Sequence, residues 1–416
     1  MSDAPSLSSS RLEQVILDGI AETPLPGLAN PLWEQVEATG TTLWLDTGDM
    51  DQAARLWNPS FQALTTNNSL LNKEIQKGLY DSWIPAAAAA VQADQPGISE
   101  QDLVLEIAFA LNARHGLRLV QRFGARVSVE LHTDLAHDVE RSLSYGRRYA
   151  ALCPDFIVKV PLTPSGLVAA RHLEEEGIPV NFTLGFSARQ NYLIASTART
   201  HWVNVFLGRL NAYAAENNLC DGRWVGERAT MASQAGLREL RDRLGVPTAQ
   251  IAASMRGGDQ VETLAGLDVY TMPVAVAQAY LDAAPRSVKD CTGEDYQPQW
   301  SEEVALKLEG MNDLWDLSDS FRAAVDPLAE LPLAELTPER IENALHDGGV
   351  GGLFPRLSEE ETAAIKADGK APIRERWLAD IASGRCGLDG LFTLAGLYAF
   401  AVDQAALDAR IRSQLS

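Results

Sequence analysis

Cysteine is scarce in this chain of 416 residues: there are four, at positions 153, 220, 291 and 386, and no CxxC pair among them. Such spacing suggests neither a zinc knuckle nor a disulfide scaffold, and it suits a reducing, cytosolic setting. The opening MSDAPSLSSS has neither a basic region nor an apolar core, so export is not expected. No run approaches the roughly 20 apolar residues that cross a bilayer. Positive charge is in deficit, with 35 Lys and Arg against 56 Asp and Glu and a formal net charge of −21. A surface of that sign repels polyanions, so neither nucleic acid nor membrane is an expected partner. Any phosphate bound here has to meet local positive charge.

Hydrophobic residues make up 46% of the chain, which is ample for a large core. Between 41 and 275, short apolar or β-branched runs alternate with longer stretches of helical period, the pattern of βα units on a parallel sheet. The runs are TTLWLD (41–46), FQALTT (61–66), RVSVEL (126–131), FIVKVP (156–161), IPVNFT (178–183), HWVNVF (201–206), QIAAS (250–254) and LDVYT (267–271). Eight in succession predict an α/β fold of the (β/α)8 TIM-barrel class with additional helices. Helices are expected over 135–153 and over 166–177, the second closing at Gly177. The gap from 67 to 125 is too long for one crossover and predicts several helices, among them 72–93 and 99–116. The second of these opens with a Ser99–Asp102 spacing like a capping box. The expected organisation is a helical lead-in over 1–40, a catalytic barrel over 41–275, and a helical C-terminal extension over 276–416 packed on the barrel.

One residue does not fit its run. Lys159 lies within FIVKVPLT (156–163), a stretch so apolar that it reads as a buried strand. A lysine stem can pack along a strand while its head reaches solvent. A buried, unpaired ammonium instead tends to neutralise, and the free amine is a nucleophile able to condense with a ketone. Its company favours the second reading. Each run turns polar at its C-terminal end: Asp46, Asn67, Glu130, Lys159, Asn181 with Thr183, Asn204, and Ser254 with Arg256. In a parallel barrel those ends share one face, whereas branched apolar side chains fill the interior, so packing explains them poorly.

If Lys159 forms an imine with a ketose, the nitrogen becomes an electron sink, and cleavage of the neighbouring carbon–carbon bond needs a base on the adjacent hydroxyl. Either Asp46 or Glu130 can take that proton, the other serving while the carbinolamine forms and dehydrates. Thr183 is a candidate to hold the water involved. Asn67 and Asn181 both donate and accept, which suits sugar hydroxyls. Arg209, Arg256 and Ser254 offer charge and a hydroxyl to a phosphate.

At these residues the chain resembles the transaldolase family. The resemblance runs in order through LWLDTGDM (43–50), TTNNSL (65–70), VSVEL (127–131), VKVPLT (158–163), GIPVNFTLGFSARQ (177–190), NVFLGR (204–209) and ASMR (253–256). It returns in FAVDQAALDARI (400–411) near the end of the chain. The resemblance implies a barrel enzyme in which Lys159 carries the imine, Asp46 acts as acid or base at the cleaved bond, and Glu130 with Thr183 manages the water. It implies that Asn67 and Asn181 hold the three-carbon unit and that Arg209, Ser254 and Arg256 hold phosphate, with Asn204 and Phe206 completing the substrate-binding set. The implied reaction moves dihydroxyacetone from a ketose phosphate to an aldose phosphate, within the pentose phosphate pathway, using no metal and no cofactor, in a homodimer. Glu130 and Phe206 resemble the transferase branch rather than the aldolase branch, which releases free dihydroxyacetone. Asn68 stands where the family usually has proline, and Asn204 and Val205 stand for Ser-Pro. These departures fall at the substrate end of the site.

Overall fold

The computed structural model describes residues 10–283, 287–301 and 308–415; the opening residues 1–9, part of the expected lead-in, lie outside them. Eight parallel strands close into a barrel in sequence order. They are β1 (Thr42–Asp46), β2 (Phe61–Thr65), β3 (Arg126–Glu130), β4 (Phe156–Pro161), β5 (Val180–Thr183), β6 (Trp202–Phe206), β7 (Ala249–Ala253) and β8 (Val269–Pro273), with β8 pairing back to β1. All eight predicted runs form strands. Their side chains face the interior on one side and helices on the other, so β4 is buried along its whole length, the situation that near-continuous apolar runs satisfy.

Trp44 and Trp202 meet edge to face inside the barrel, ring centroids 5.2 Å apart, two residues before Asp46 and Asn204 on their strands. The period of two puts each tryptophan on the same face as the polar residue beyond it. Indole rings therefore fill the N-terminal end of the interior and leave the C-terminal end to polar groups.

The helices follow the caps. Thr163 accepts from the Gly166 amide and Pro164 opens the helix Pro164–Glu175, after which Gly177 turns the chain at φ +77°. Ser99 caps the helix Glu100–Phe123, accepting from the Asp102 amide, and its hydroxyl also donates to the Asp102 carboxylate, which takes the place of the reciprocal bond of a capping box. Two expectations need correction. The stretch 72–93 is not one helix: the helix Asn68–Gln76 ends before Gly78 at φ +79°, and a second runs over Ile84–Asp94 with Pro85 in its first turn. The stretch 135–153 begins as a short turn, and its helix starts only at Val139, where Asp138 caps it.

A third correction concerns long apolar runs. The helix Leu388–Leu415 is long and apolar enough to cross a membrane by length and composition, and 56% of its apolar window is buried inside the protein. It packs on the helices Asn68–Gln76, Ile84–Asp94 and Glu100–Phe123. At its start the buried Asp389 accepts from the Ser187 hydroxyl at 2.6 Å and from Arg189 at 2.7 and 2.8 Å. Toward its end Arg410 pairs with Asp81 and Arg412 with Glu100. Charges satisfied by the barrel's own helices at both ends suit a helix whose apolar side is core.

Candidate active site

Strand register assembles the centre of the site. Glu130 on β3 pairs with Lys159 on β4, and Lys159 pairs with Asn181 on β5, so the three side chains stand in one row. Lys159 is only 4% exposed; its Nζ donates to the Thr66 carbonyl at 3.1 Å and lies 3.9 Å from Glu130 Oε2. The amine is buried but not unpaired. Its surroundings are a carbonyl, a carboxylate and amides, because the neighbours that register supplies are the polar ends of other strands.

Asp46 is partly open to a pocket of about 210 Å³ that Lys159 also lines. Its Oδ1 accepts from the Thr65 hydroxyl at 2.8 Å, and that hydroxyl meets Thr271 at 2.5 Å. Burial raises the Asp46 carboxyl above its usual range, against the opposing pull of Lys159, Thr65, Arg256 and Lys73. Glu130 is raised as well, first by burial and then by Asp46, while Lys159, the Asn68 amide and Arg209 pull it down. Both carboxyls are thus shifted toward the range in which a group can accept and return a proton near neutrality.

Glu130 and Thr183 lie apart from the open pocket. Glu130 is 3% exposed and borders a small internal space with Asn68, Asn112, His132 and Gln404. The Thr183 hydroxyl is fully buried and has no hydrogen-bond partner. A buried hydroxyl left unbonded is costly, and a water molecule is the simplest group to satisfy it. The residue after it, Leu184, has φ +67°, a strained backbone at the strand's functional end.

The amides are partly committed to one another. Asn204 Nδ2 donates to Asn181 Oδ1 at 3.2 Å and to the Phe182 carbonyl at 2.9 Å, while Asn181 Nδ2 donates to the Ser128 hydroxyl at 3.1 Å. Asn67 spends its Oδ1 on capping the helix Asn68–Gln76, leaving its amide nitrogen for the pocket. Asn204 Oδ1 is buried and unbonded.

At the other pole of the pocket stand Arg209, Ser254 and Arg256. Arg209 lies among three rings, its guanidinium carbon 5.1 Å from the Phe206 centroid, 5.6 Å from Phe400 and 6.0 Å from Phe186. Burial first and the Arg256 charge second bring its pKa down to about 10, with Glu130 opposing. Arg209 Nη1 and Ser254 Oγ are buried without partners, two unspent donors on residues that line the same pocket, of the kind a phosphate accepts from. Ser254 itself has φ +63°. Gly208 permits this approach: a Cβ there would fall 2.0 Å from the Ser254 carbonyl oxygen. Gly396 does the same from the C-terminal helix, where a Cβ would press on Leu184 and Arg209.

Every predicted site residue except Glu130 and Thr183 lines the one pocket, and those two adjoin it through Lys159 and strand β5. The sequence reading missed Lys73, Ser69, Lys370 and Phe400, which line it too. Lys73 and Ser69 sit within or just past the TTNNSL segment, a usable signal. Ser69 bonds Asp403 of the FAVDQ segment, tying two of the singled-out stretches together. Among the described residues, no three His, Cys, Asp or Glu side chains gather as a metal site.

The family model described as transaldolase/fructose-6-phosphate aldolase matches residues 43–318. The transaldolase of Schizosaccharomyces pombe is 30% identical over 267 residues, covering 61% of this chain and 80% of that protein. The transaldolase of Xanthomonas euvesicatoria is 29% identical over 234 residues, 55% of this chain and 71% of the relative.

Proposed function

The chain belongs to the transaldolase/fructose-6-phosphate aldolase family, and from that premise we propose that it moves a dihydroxyacetone unit from a ketose phosphate to an aldose phosphate through an imine on Lys159. It is a transferase-class enzyme of transaldolase type. In the proposed course, the Lys159 amine adds to the ketose C2 carbonyl and the carbinolamine loses water, with Glu130 and a water at Thr183 moving the protons. Asp46 removes the proton of the C4 hydroxyl, the C3–C4 bond breaks, and its electrons pass to the imine nitrogen as an enamine. The aldose phosphate leaves. The enamine then attacks the acceptor's aldehyde carbon, Asp46 returns its proton to the new alkoxide, and water releases the product from Lys159.

The observation that carries this reading is a buried lysine at the C-terminal end of β4, 3.9 Å from one carboxylate and sharing a pocket with a second whose pKa is raised. The unbonded donors of Arg209 and Ser254 support a phosphate at the far pole. The proposal includes sedoheptulose 7-phosphate and fructose 6-phosphate as donors, and erythrose 4-phosphate and glyceraldehyde 3-phosphate as acceptors. It also includes the pentose phosphate pathway, a cytosolic setting and a homodimer.

The test is product analysis by mass spectrometry for purified protein given each ketose phosphate with and without an aldose phosphate. Transfer product that depends on the acceptor supports the reading. Release of free dihydroxyacetone at the same rate without acceptor replaces it with an aldolase, and no turnover of any donor refutes it.

A further inference from the structure

Lysine is unevenly spent in this molecule. The chain has seven, at 73, 77, 159, 289, 307, 366 and 370, and three of them, Lys73, Lys159 and Lys370, line the one pocket described above. Lys159 and Lys73 come from the barrel and the helix after β2. Lys370 comes from the 276–416 extension, two hundred residues beyond the strand that carries Lys159. It follows Gly369, whose φ of +84° reverses the chain between the helices Glu359–Asp368 and Arg374–Ala382.

The reversal is held at its base. Asp368 accepts from the Trp377 indole at 2.8 Å and from the Ile373 amide at 3.0 Å, which fixes the two helix ends on either side of Lys370. Among the described residues several exposed cations are spent on ion pairs, including Lys77 with Glu74 and Asp49, and Arg385 with Glu361 and Asp380. Lys370 makes no ion pair with a carboxylate among the described residues, and it faces the pocket that holds the unbonded donors of Arg209 and Ser254.

We propose that Lys370 is a substrate-specificity residue, through which the C-terminal extension supplies a further positive charge to the phosphate end of the sugar-phosphate pocket. This rests on the reading of the pocket given under Proposed function. A lysine acts there as a mobile point charge with three donors rather than as a planar fork. It strengthens attraction to a phosphate without fixing its orientation, and because it is exposed that attraction is screened by salt. Among the described residues no hydrogen bond or ion pair joins Lys370 to the groups assigned to bond making, so its effect is expected on KM and not on kcat.

The experiment compares the full-length wild type, Lys370→Gln and Lys366→Gln. Lys366 is a control of equal charge in the preceding helix, where its ammonium lies over the Tyr398 ring, 4.8 Å from the centroid. Calorimetric titration with inorganic phosphate, at low and at high salt, reads the anion site without requiring turnover. Lys370→Gln is expected to weaken phosphate binding about fivefold at low salt, with the difference shrinking at high salt, as a partly screened charge–phosphate contact does. Lys366→Gln is expected to match the wild type. With a ketose phosphate donor, KM rises by a similar factor at unchanged kcat, and KM for the unphosphorylated ketose stays put. Equal phosphate affinity in wild type and Lys370→Gln overturns the proposal, as does an equal loss in both variants or a wild type that binds no phosphate. If wild-type phosphate binding depends on Lys370 but no donor turns over, the catalytic reading fails and this inference stands.

Discussion

Glu130 Oε2 faces Lys159 Nζ at 3.9 Å across the β3–β4 pair, with both side chains almost wholly buried. Lys159 is the main influence drawing the Glu130 carboxyl back down from the rise that burial imposes. Replacing the lysine by methionine removes that influence and lifts Glu130 further. A carboxyl raised in the folded state costs nothing at low pH, where it is protonated folded and unfolded alike, and costs stability as pH climbs through its folded value. Lys159→Met is therefore expected to unfold near the wild-type temperature at about pH 4, and to be less stable by about 3 kcal/mol at about pH 8. Thermal unfolding at the two pH values checks this; a deficit that does not grow with pH contradicts it.

Asp46→Asn keeps an oxygen for the Thr65 hydroxyl to bond and loses the base. The expected result is a fall in kcat of about 10²- to 10⁴-fold at little-changed KM. Because Asp46 and Glu130 are both raised, the acid limb of the wild-type kcat/KM profile is expected above about pH 4, the ordinary carboxylate value. Rates across pH for both proteins measure the two effects together.

Gly208→Ala places a methyl 2.0 Å from the Ser254 carbonyl oxygen and close against Arg256. The loop after β7 has to move, and with it the phosphate pole. KM for a ketose phosphate is expected to rise about tenfold or more, equivalent to loss of one charged hydrogen bond. KM for the unphosphorylated ketose should change far less, and steady-state kinetics with both substrates separates the two.

His115 holds the loop that follows Asp46. Its Nε2 lies 2.8 Å from the Gly48 carbonyl, which can only accept, so Nε2 carries the proton and Nδ1 accepts from the Tyr80 hydroxyl at 2.9 Å. Burial lowers its pKa from 6.5 to about 4. The unfolded chain binds a proton below about pH 6.5 that the folded one refuses, so this contribution is full above that pH and is lost as pH falls toward 4. The loss amounts to roughly 3 kcal/mol. Denaturant titrations of wild type and His115→Gln at pH 7 and at pH 4.5 should show a smaller pH effect in the variant.

The barrel was legible because nearly every strand is a short apolar run that turns polar at or just past its C-terminal end, a pattern that local sequence carries by itself. Lys159 was legible for the opposite reason, as a charge in the wrong place. Its real surroundings were not, since Glu130 and Asn181 reach it only through strand register, which no single run encodes. The helix break at Gly78 was readable in principle from the glycine followed by Pro85. Lys370 had no local signal toward the site, whereas Phe400 opens the FAVDQ segment; both enter it because the C-terminal helices pack on the barrel, anchored by contacts such as Arg189 with Asp389 that join residues two hundred positions apart.

The proposed mechanism turns on a covalent bond between Lys159 and a ketose. Incubating the protein with fructose 6-phosphate, reducing with borohydride and sequencing the peptides by mass spectrometry tests it directly. A reduced sugar adduct is expected on Lys159, and none in Lys159→Met. An unmodified Lys159 in protein that is turning substrate over, or an adduct on another lysine, would contradict it.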